Sequence, residues 1–251
     1  MPAPKAPPKL LPKLPLATIT KRIDVTHDLW RMWLRPQVPF TFKPGQYTTI
    51  GVDGLERAYS IVSGPYEPEI ELFIELVPPP DGNLTPILHK MTVGDRVTIR
   101  PRAKGVFTMQ DRYTNHLMMA TVTGVVPYVS ILRTYLHDNR KGHRFFVLLG
   151  ASYKDELTFD KEIEEMARKH PDFITLVSTV SRPNDPRNQG WAGETGRVNT
   201  LVEKYVAKFG LKAADTLIYA CGHPGMIEDV KERGAKLDFD VLEERFWKDD
   251  E

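Results

Sequence analysis

Arg57, Tyr59 and Ser60 fall inside the stretch RAYSIVS (residues 57–63), which places a guanidinium, a phenol and a hydroxyl in what otherwise reads as a strand. A guanidinium holds phosphate oxygens through its fork of donors, and a phenol offers a stacking face with a polar rim. Taken alone, the pattern equally fits a core tyrosine beside a solvated edge charge. Neighbouring residues 59 and 60 point to opposite faces of an ideal strand, so joint action requires a bulge, a strand end or a backbone contact. Cys221 ends the apolar run TLIYACG, where a lone cysteine is ordinarily a packed small side chain. Cys221 and His223 have no further ligand cluster around them, so no metal site is expected.

The elements that must hold these residues change rhythm along the chain. From residue 17 to 112 the apolar pieces are short and broken by Pro- and Gly-rich turns: ATITKRIDVT, LWRMWLRP, GQYTTIGV, RAYSIVS, ELFIELV and RVTIRPR. Six such pieces predict a small antiparallel barrel, and LTPILHKM predicts one short helix across its opening. From 113 to 251 apolar strands alternate with longer charged helices, as in HLMMATV followed by GVVPYVSILRTYLHDN. That pattern predicts an α/β domain with a mostly parallel sheet and helices on both faces. The ligand should lie in the cleft where the barrel meets the carboxyl ends of the parallel strands.

Composition narrows the classes of partner. Lys plus Arg number 34 against 33 for Asp plus Glu, and a net charge of +1 gives no reason to expect nucleic acid. The single cysteine excludes an internal disulfide framework and a four-cysteine iron–sulfur cluster, and fits a reducing, cytoplasmic setting. No run approaches the length of a membrane span. Residues 1–16, rich in proline and lysine, read as an extended arm that packs on the surface or is disordered.

Several motifs recur in a fixed order: PGQY (44–47), RAYS (57–60), GNLT (82–85), KGVF (104–107), TGVVPY (123–128), SR (181–182), GR (196–197) and ACGHPGM (220–226). In that order and spacing the chain resembles the ferredoxin–NADP(+) reductase superfamily, and most closely its compact bacterial branch. The resemblance covers nearly everything after the arm and implies a ferredoxin reductase-like pair of domains. It implies noncovalent FAD, with Arg57 facing the pyrophosphate, Tyr59 against the isoalloxazine, Ser60 near its reactive edge, and Ala58 among the cofactor-binding residues. It adds a second flavin segment, Leu76 with Gly82, Asn83, Leu84 and Thr85, although a plain loop and helix cap explain Asn83 and Thr85 as well. It also implies a returning aromatic end, Phe246 or Trp247, followed here by four more residues, Lys248 to Glu251.

For the other half the resemblance implies an NADP(H) site. Thr123 and Gly124 would meet the nucleotide at a helix start, although Thr123 alone could be a simple cap. The family usually has glycine where Val122 stands, and a β-branched residue constrains that turn. Arg182 and Arg197 match positions that recognise the 2′-phosphate. A third basic position is Ser152 here, with Lys154 nearby as a partial substitute. Cys221 would border the nicotinamide, positioning it without forming a covalent bond, while Gly222 in the following turn and Met226 entering the helix complete the NADP-binding set. The implied activity is electron exchange between NADP(H) and ferredoxin or flavodoxin by a monomer, with Ser60 and Cys221 at the reacting edge. An NAD(P)H-dependent flavin reductase, an oxygenase reductase component and a non-catalytic flavin-binding scaffold stand as alternatives.

Overall fold

The computed structural model describes residues 14–245; most of the arm, Phe246 and Trp247 lie outside them. The first domain comprises β1 (Leu16–Asp24), β2 (Leu29–Pro36), β3 (Tyr47–Val52), β4 (Leu55–Ser60), β5 (Ile70–Glu75), α1 (Thr85–Lys90) and β6 (Arg96–Ile99). All pairings are antiparallel, in the order β4-β3-β6-β1-β2-β5. The two edge strands meet where the Val62 amide donates to the Glu71 carbonyl at 2.9 Å, which turns the sheet into the expected barrel. Alternation on β2 shows why the sequence takes this form: Trp30, Met32 and Leu34 are fully buried, whereas Arg31 and Trp33 are only partly so. The short α1 lies where LTPILHKM predicts it. Arg22 fastens its end by donating to the carbonyls of Leu88, His89 and Met91 at 3.2, 2.8 and 2.7 Å.

The second domain runs β7 (Asn115–Thr121), α2 (Val126–His137), β8 (Arg144–Ala151), α3 (Asp160–Lys169), β9 (Ile174–Val180), β10 (Glu194–Thr195), α4 (Val202–Lys208), β11 (Thr216–Gly222), α5 (Pro224–Lys236) and β12 (Asp240–Arg245). The order is β10-β9-β8-β7-β11-β12, and every described pairing is parallel rather than mostly so. Met118 and Ala120 on β7 face one apolar cluster with α2 and α3, while Leu117 and Met119 face another with α4 and α5. Burial on both faces explains the unbroken apolar run HLMMATV. The chain leaves β7 toward β10 and then returns to β11 on β7's other side. The crevice beyond Thr121 and Cys221 is therefore the switch point of the sheet.

The domains share a core. Leu29, Val62, Phe73 and Phe107 of the first half pack in one cluster with Val129, Leu132 and Phe159 of the second. Ser130 Oγ donates to the Ser63 carbonyl at 2.7 Å. Glu71, only 1% exposed, accepts from Arg31 of its own barrel at 2.6 Å and from Arg133 of α2 at 2.9 Å. These contacts fix the cleft between the halves.

Candidate active-site cleft

β4 forms one wall of the cleft. Arg57, Ala58, Tyr59 and Ser60 all line it, together with Phe73, Ile74, Glu75, Gly82, Asn83, Leu84 and Thr85. Ser60 ends its strand, paired with Tyr47, and this strand end lets residues 59 and 60 serve the same cavity. Among the described residues Arg57 donates only to the Glu56 carbonyl, at 2.9 Å, and no carboxylate of theirs neutralises its fork. Tyr59 carries a buried hydroxyl with no partner among the described residues, and burial pushes its phenol pKa upward. A partnerless buried hydroxyl is costly unless a ligand completes it.

The segment expected to form the second flavin contact divides. Asn83 is exposed at the rim and Leu84 is buried. The Thr85 hydroxyl donates to the Val77 carbonyl and accepts from the Val77 amide, both at 3.0 Å, so it closes its own loop and is not a helix cap. A side chain at Gly82 would begin 1.8 Å from the Val77 carbonyl oxygen, so glycine is required by that same fold-back. Leu76 packs against the barrel core. Phe246 and Trp247 lie outside the described residues.

Beyond the strand ends a second cavity is lined by Thr121, Val122, Thr123, Ser152, Ser181, Arg182, Arg197, Gly222 and Met226. Val122 adopts φ +40°, the left-handed region where a β-branched side chain is strained. Thr123 sits in a 3-10 turn (Val122–Val125) leading into α2, and neither start carries a side-chain cap. Gly124 is required here, because a Cβ would lie 2.1 Å from the Cys221 carbonyl oxygen. At Gly222, with φ +127°, a Cβ would meet Thr121 Oγ1 at 2.2 Å. Backbone and nucleotide cleft thus approach closely at the switch point. Arg197 makes no side-chain hydrogen bond or ion pair among the described residues. Lys154 turns away, its Nζ donating to the Gln189 carbonyl at 2.6 Å. Cys221 is fully buried, its thiol pKa raised by burial and by the neighbouring Glu244.

Glu75 and Thr123 line both cavities, so the two halves of the cleft are continuous. A group absent from the sequence reading meets Ser60 at the end of β4. Glu244, on β12, pairs in register with Cys221 and accepts from Ser60 Oγ at 3.2 Å. Burial raises its carboxyl to about 7, with the Ser60 hydrogen bond opposing. The segment DVLEER has no apolar run to mark an edge strand, and the nearby aromatics draw the eye instead. Its two apolar residues, Val241 and Leu242, are adjacent, so no alternation signals β12 either.

Residues 118–232 match the family described as oxidoreductase NAD-binding domain. The chain is 30% identical over 225 residues to the flavodoxin/ferredoxin–NADP reductase of Escherichia coli (strain K12), covering 85% of this chain and 86% of that relative. This chain belongs to the ferredoxin–NADP(+) reductase family. As a member it is a flavin- and NAD(P)-dependent oxidoreductase. It is also 28% identical over 250 residues to NADH-cytochrome b5 reductase 1 of Lodderomyces elongisporus, covering 94% of this chain and 79% of the relative. Its fold matches a ferredoxin NADP+ reductase from Neisseria gonorrhoeae, solved with bound FAD and NADP, at a TM-score of 0.79 and 22% identity over 92% of this chain and 98% of that one. In ferredoxin–NADP(+) reductase terms, the β4 wall, with its open Arg57 fork and unsatisfied Tyr59 hydroxyl, fits a ligand that is aromatic and anionic, as FAD is.

Proposed function

We propose that this chain moves electrons between NADP(H) and a one-electron protein carrier, ferredoxin or flavodoxin, with FAD held noncovalently along β4. The observation that carries this reading is the continuity of the cleft through Glu75 and Thr123, which joins a barrel cavity lined by Arg57, Tyr59 and Phe73 to the strand-end cavity of the sheet. Bound FAD supplies the passage between two-electron hydride chemistry and single-electron transfer. Arg57 binds the pyrophosphate, Tyr59 provides the stacking face, and the amides at the uncapped start of α2 meet nucleotide phosphate. Arg182 and Arg197 bind the 2′-phosphate that separates NADP from NAD. Ser60 and Glu244 hold a proton at their shared Oγ–Oε2 contact, and a carboxyl near 7 can keep or release it at neutral pH. Cys221 shapes the floor beneath that contact and needs no covalent chemistry.

Anaerobic addition of NADPH to the flavin-loaded protein tests the core of this reading. Stoichiometric bleaching of the flavin band supports it, and a bound flavin unchanged by either nicotinamide would overturn it in favour of a scaffold. Turnover with ferredoxin, flavodoxin or free flavin as acceptor then selects among a carrier reductase, an oxygenase reductase component and a flavin reductase. Faster turnover with the protein carriers is expected.

A further inference from the structure

The loop after β9 contains a buried polar residue whose contacts serve the nucleotide cleft indirectly. Asn188 is 1% exposed. Its Nδ2 donates to the carbonyls of Ser152 at 3.0 Å and Arg182 at 2.8 Å, while its Oδ1 accepts from the Lys154 amide at 2.8 Å. One side chain thereby fixes the spacing between the loop after β8 and the loop after β9. Both loops end on cavity-lining residues, Ser152 on one and Arg182 on the other.

Arg187, the preceding residue, lays its guanidinium over the Tyr153 ring at 3.7 Å. Its charge is already matched, because its Nη2 donates to both oxygens of Asp155 at 2.9 Å. Tyr153 in turn accepts a hydrogen bond from Arg182 through its hydroxyl. The difference between the two arginines is chemical. A carboxylate holds a guanidinium and cancels its charge, whereas a phenol holds it and leaves the charge available for an anion. An arginine free in solvent loses side-chain entropy when it is captured. Arg182 has surrendered part of that freedom before any ligand arrives.

We propose that Tyr153, Arg187 and Asn188 form a positioning unit that aims Arg182 at the 2′-phosphate of the coenzyme, and so sets the preference for NADPH over NADH. Asn188 sets the loop spacing, Arg187 and Asp155 hold the tyrosine ring, and the Tyr153 hydroxyl orients Arg182. Arg197 completes the anion site without such support. The inference rests on the reading of the cleft as an NADP(H) site.

Steady-state kinetics of the FAD-loaded protein with NADPH and NADH test it, together with inhibition by 2′,5′-ADP and 5′-AMP. Tyr153→Phe is expected to lower the ratio of kcat/KM for NADPH over NADH by about three- to tenfold. Asn188→Ala should act in the same direction. In the double variant with Arg182→Ala, Tyr153→Phe should add little, because it acts through that arginine. A merely structural tyrosine would weaken both coenzymes alike, and that outcome, or full additivity with Arg182→Ala, overturns the proposal. Should 2′,5′-ADP inhibit the wild type no better than 5′-AMP, the NADP(H) reading fails along with it. A clear 2′-phosphate preference that Tyr153→Phe leaves intact removes the positioning unit alone.

Discussion

Ser60 Oγ donates to Glu244 Oε2 at 3.2 Å across 184 residues of sequence, joining the end of β4 in the barrel to β12 at the edge of the parallel sheet. The bond has two consequences. It ties the domains together at the cleft, and it puts a carboxyl of near-neutral pKa beside the residue expected at the reacting edge.

The first prediction concerns pH. Burial raises Glu244 to about 7 in the folded protein, against 4.5 for the ordinary side chain. Between those values the folded state holds more protons than the unfolded chain, so this group's contribution to stability falls as pH rises from 4.5 to 7 and is level above. The full shift corresponds to no more than about 3 kcal/mol, lowered by residual solvent access. Urea midpoints of wild type and Glu244→Gln across this range should converge at low pH and separate at high pH, with the variant the more stable. Parallel curves would assign the slope to another group.

Flavin affinity should depend on Arg57 through its charge and its fork. Arg57→Ala removes one bond to the Glu56 carbonyl and strips no described carboxylate of a partner, so its main cost falls on the ligand. Fluorescence titration with FAD should show a loss of about 10- to 100-fold, which Arg57→Lys restores only in part. An unchanged affinity would place the pyrophosphate elsewhere.

Much of this cleft could be read from the chain itself. The barrel strands follow from alternation such as Trp30, Met32 and Leu34, and the parallel sheet from runs buried on both faces, such as Leu117 to Ala120. RAYS and the Arg182–Arg197 pair stand out because charged and hydroxyl groups interrupt those runs. Glu244 does not, since a glutamate in a charged tail becomes special only when β12 pairs with β11 and brings it to Ser60. Thr85 errs in the opposite sense: its type suits a cap or a phosphate, and only the fold-back onto Val77 reveals where its hydroxyl is spent. Long-range pairing decides both cases, and local pattern carries no trace of it.

The interdomain ion pairs should be costly to break on one side. Glu71 is buried between Arg31 and Arg133, so Glu71→Ala leaves two guanidiniums short of their shared partner. Removing one member of a buried pair costs about 3–5 kcal/mol. The exposed pair of Arg35 with Glu69 is the control, and Arg35→Ala should cost under about 1 kcal/mol. Denaturant unfolding should show this contrast; equal costs would mean the Glu71 network adds nothing beyond a surface pair.

Val122 offers a test of strain. At φ +40° glycine is far better suited than any β-branched residue, yet the valine side chain also packs against the core. Val122→Ala loses that packing and keeps the strain, whereas Val122→Gly loses the packing and relieves it. Thermal or urea unfolding should therefore find the glycine variant more stable than the alanine variant by about 1 kcal/mol, despite glycine's entropic cost. The reverse order would show that the turn relaxes around alanine.

Cys221 should prove inert as a nucleophile. The thiol is fully buried, and both burial and the Glu244 carboxyl hold its pKa above the ordinary range, so little thiolate forms at pH 8 and little of it is reachable. Iodoacetamide should label the native protein at least about a hundredfold more slowly than the unfolded chain, at a rate set by local opening. Cys221→Ser should cost about 1–3 kcal/mol of stability, because it buries a hydroxyl in a site shaped for sulfur. Hydride transfer from NADPH should nevertheless persist, slowed by altered packing under the Ser60–Glu244 contact. Complete loss of transfer in a folded, flavin-loaded Cys221→Ser protein would instead require the sulfur itself to take part in the reaction.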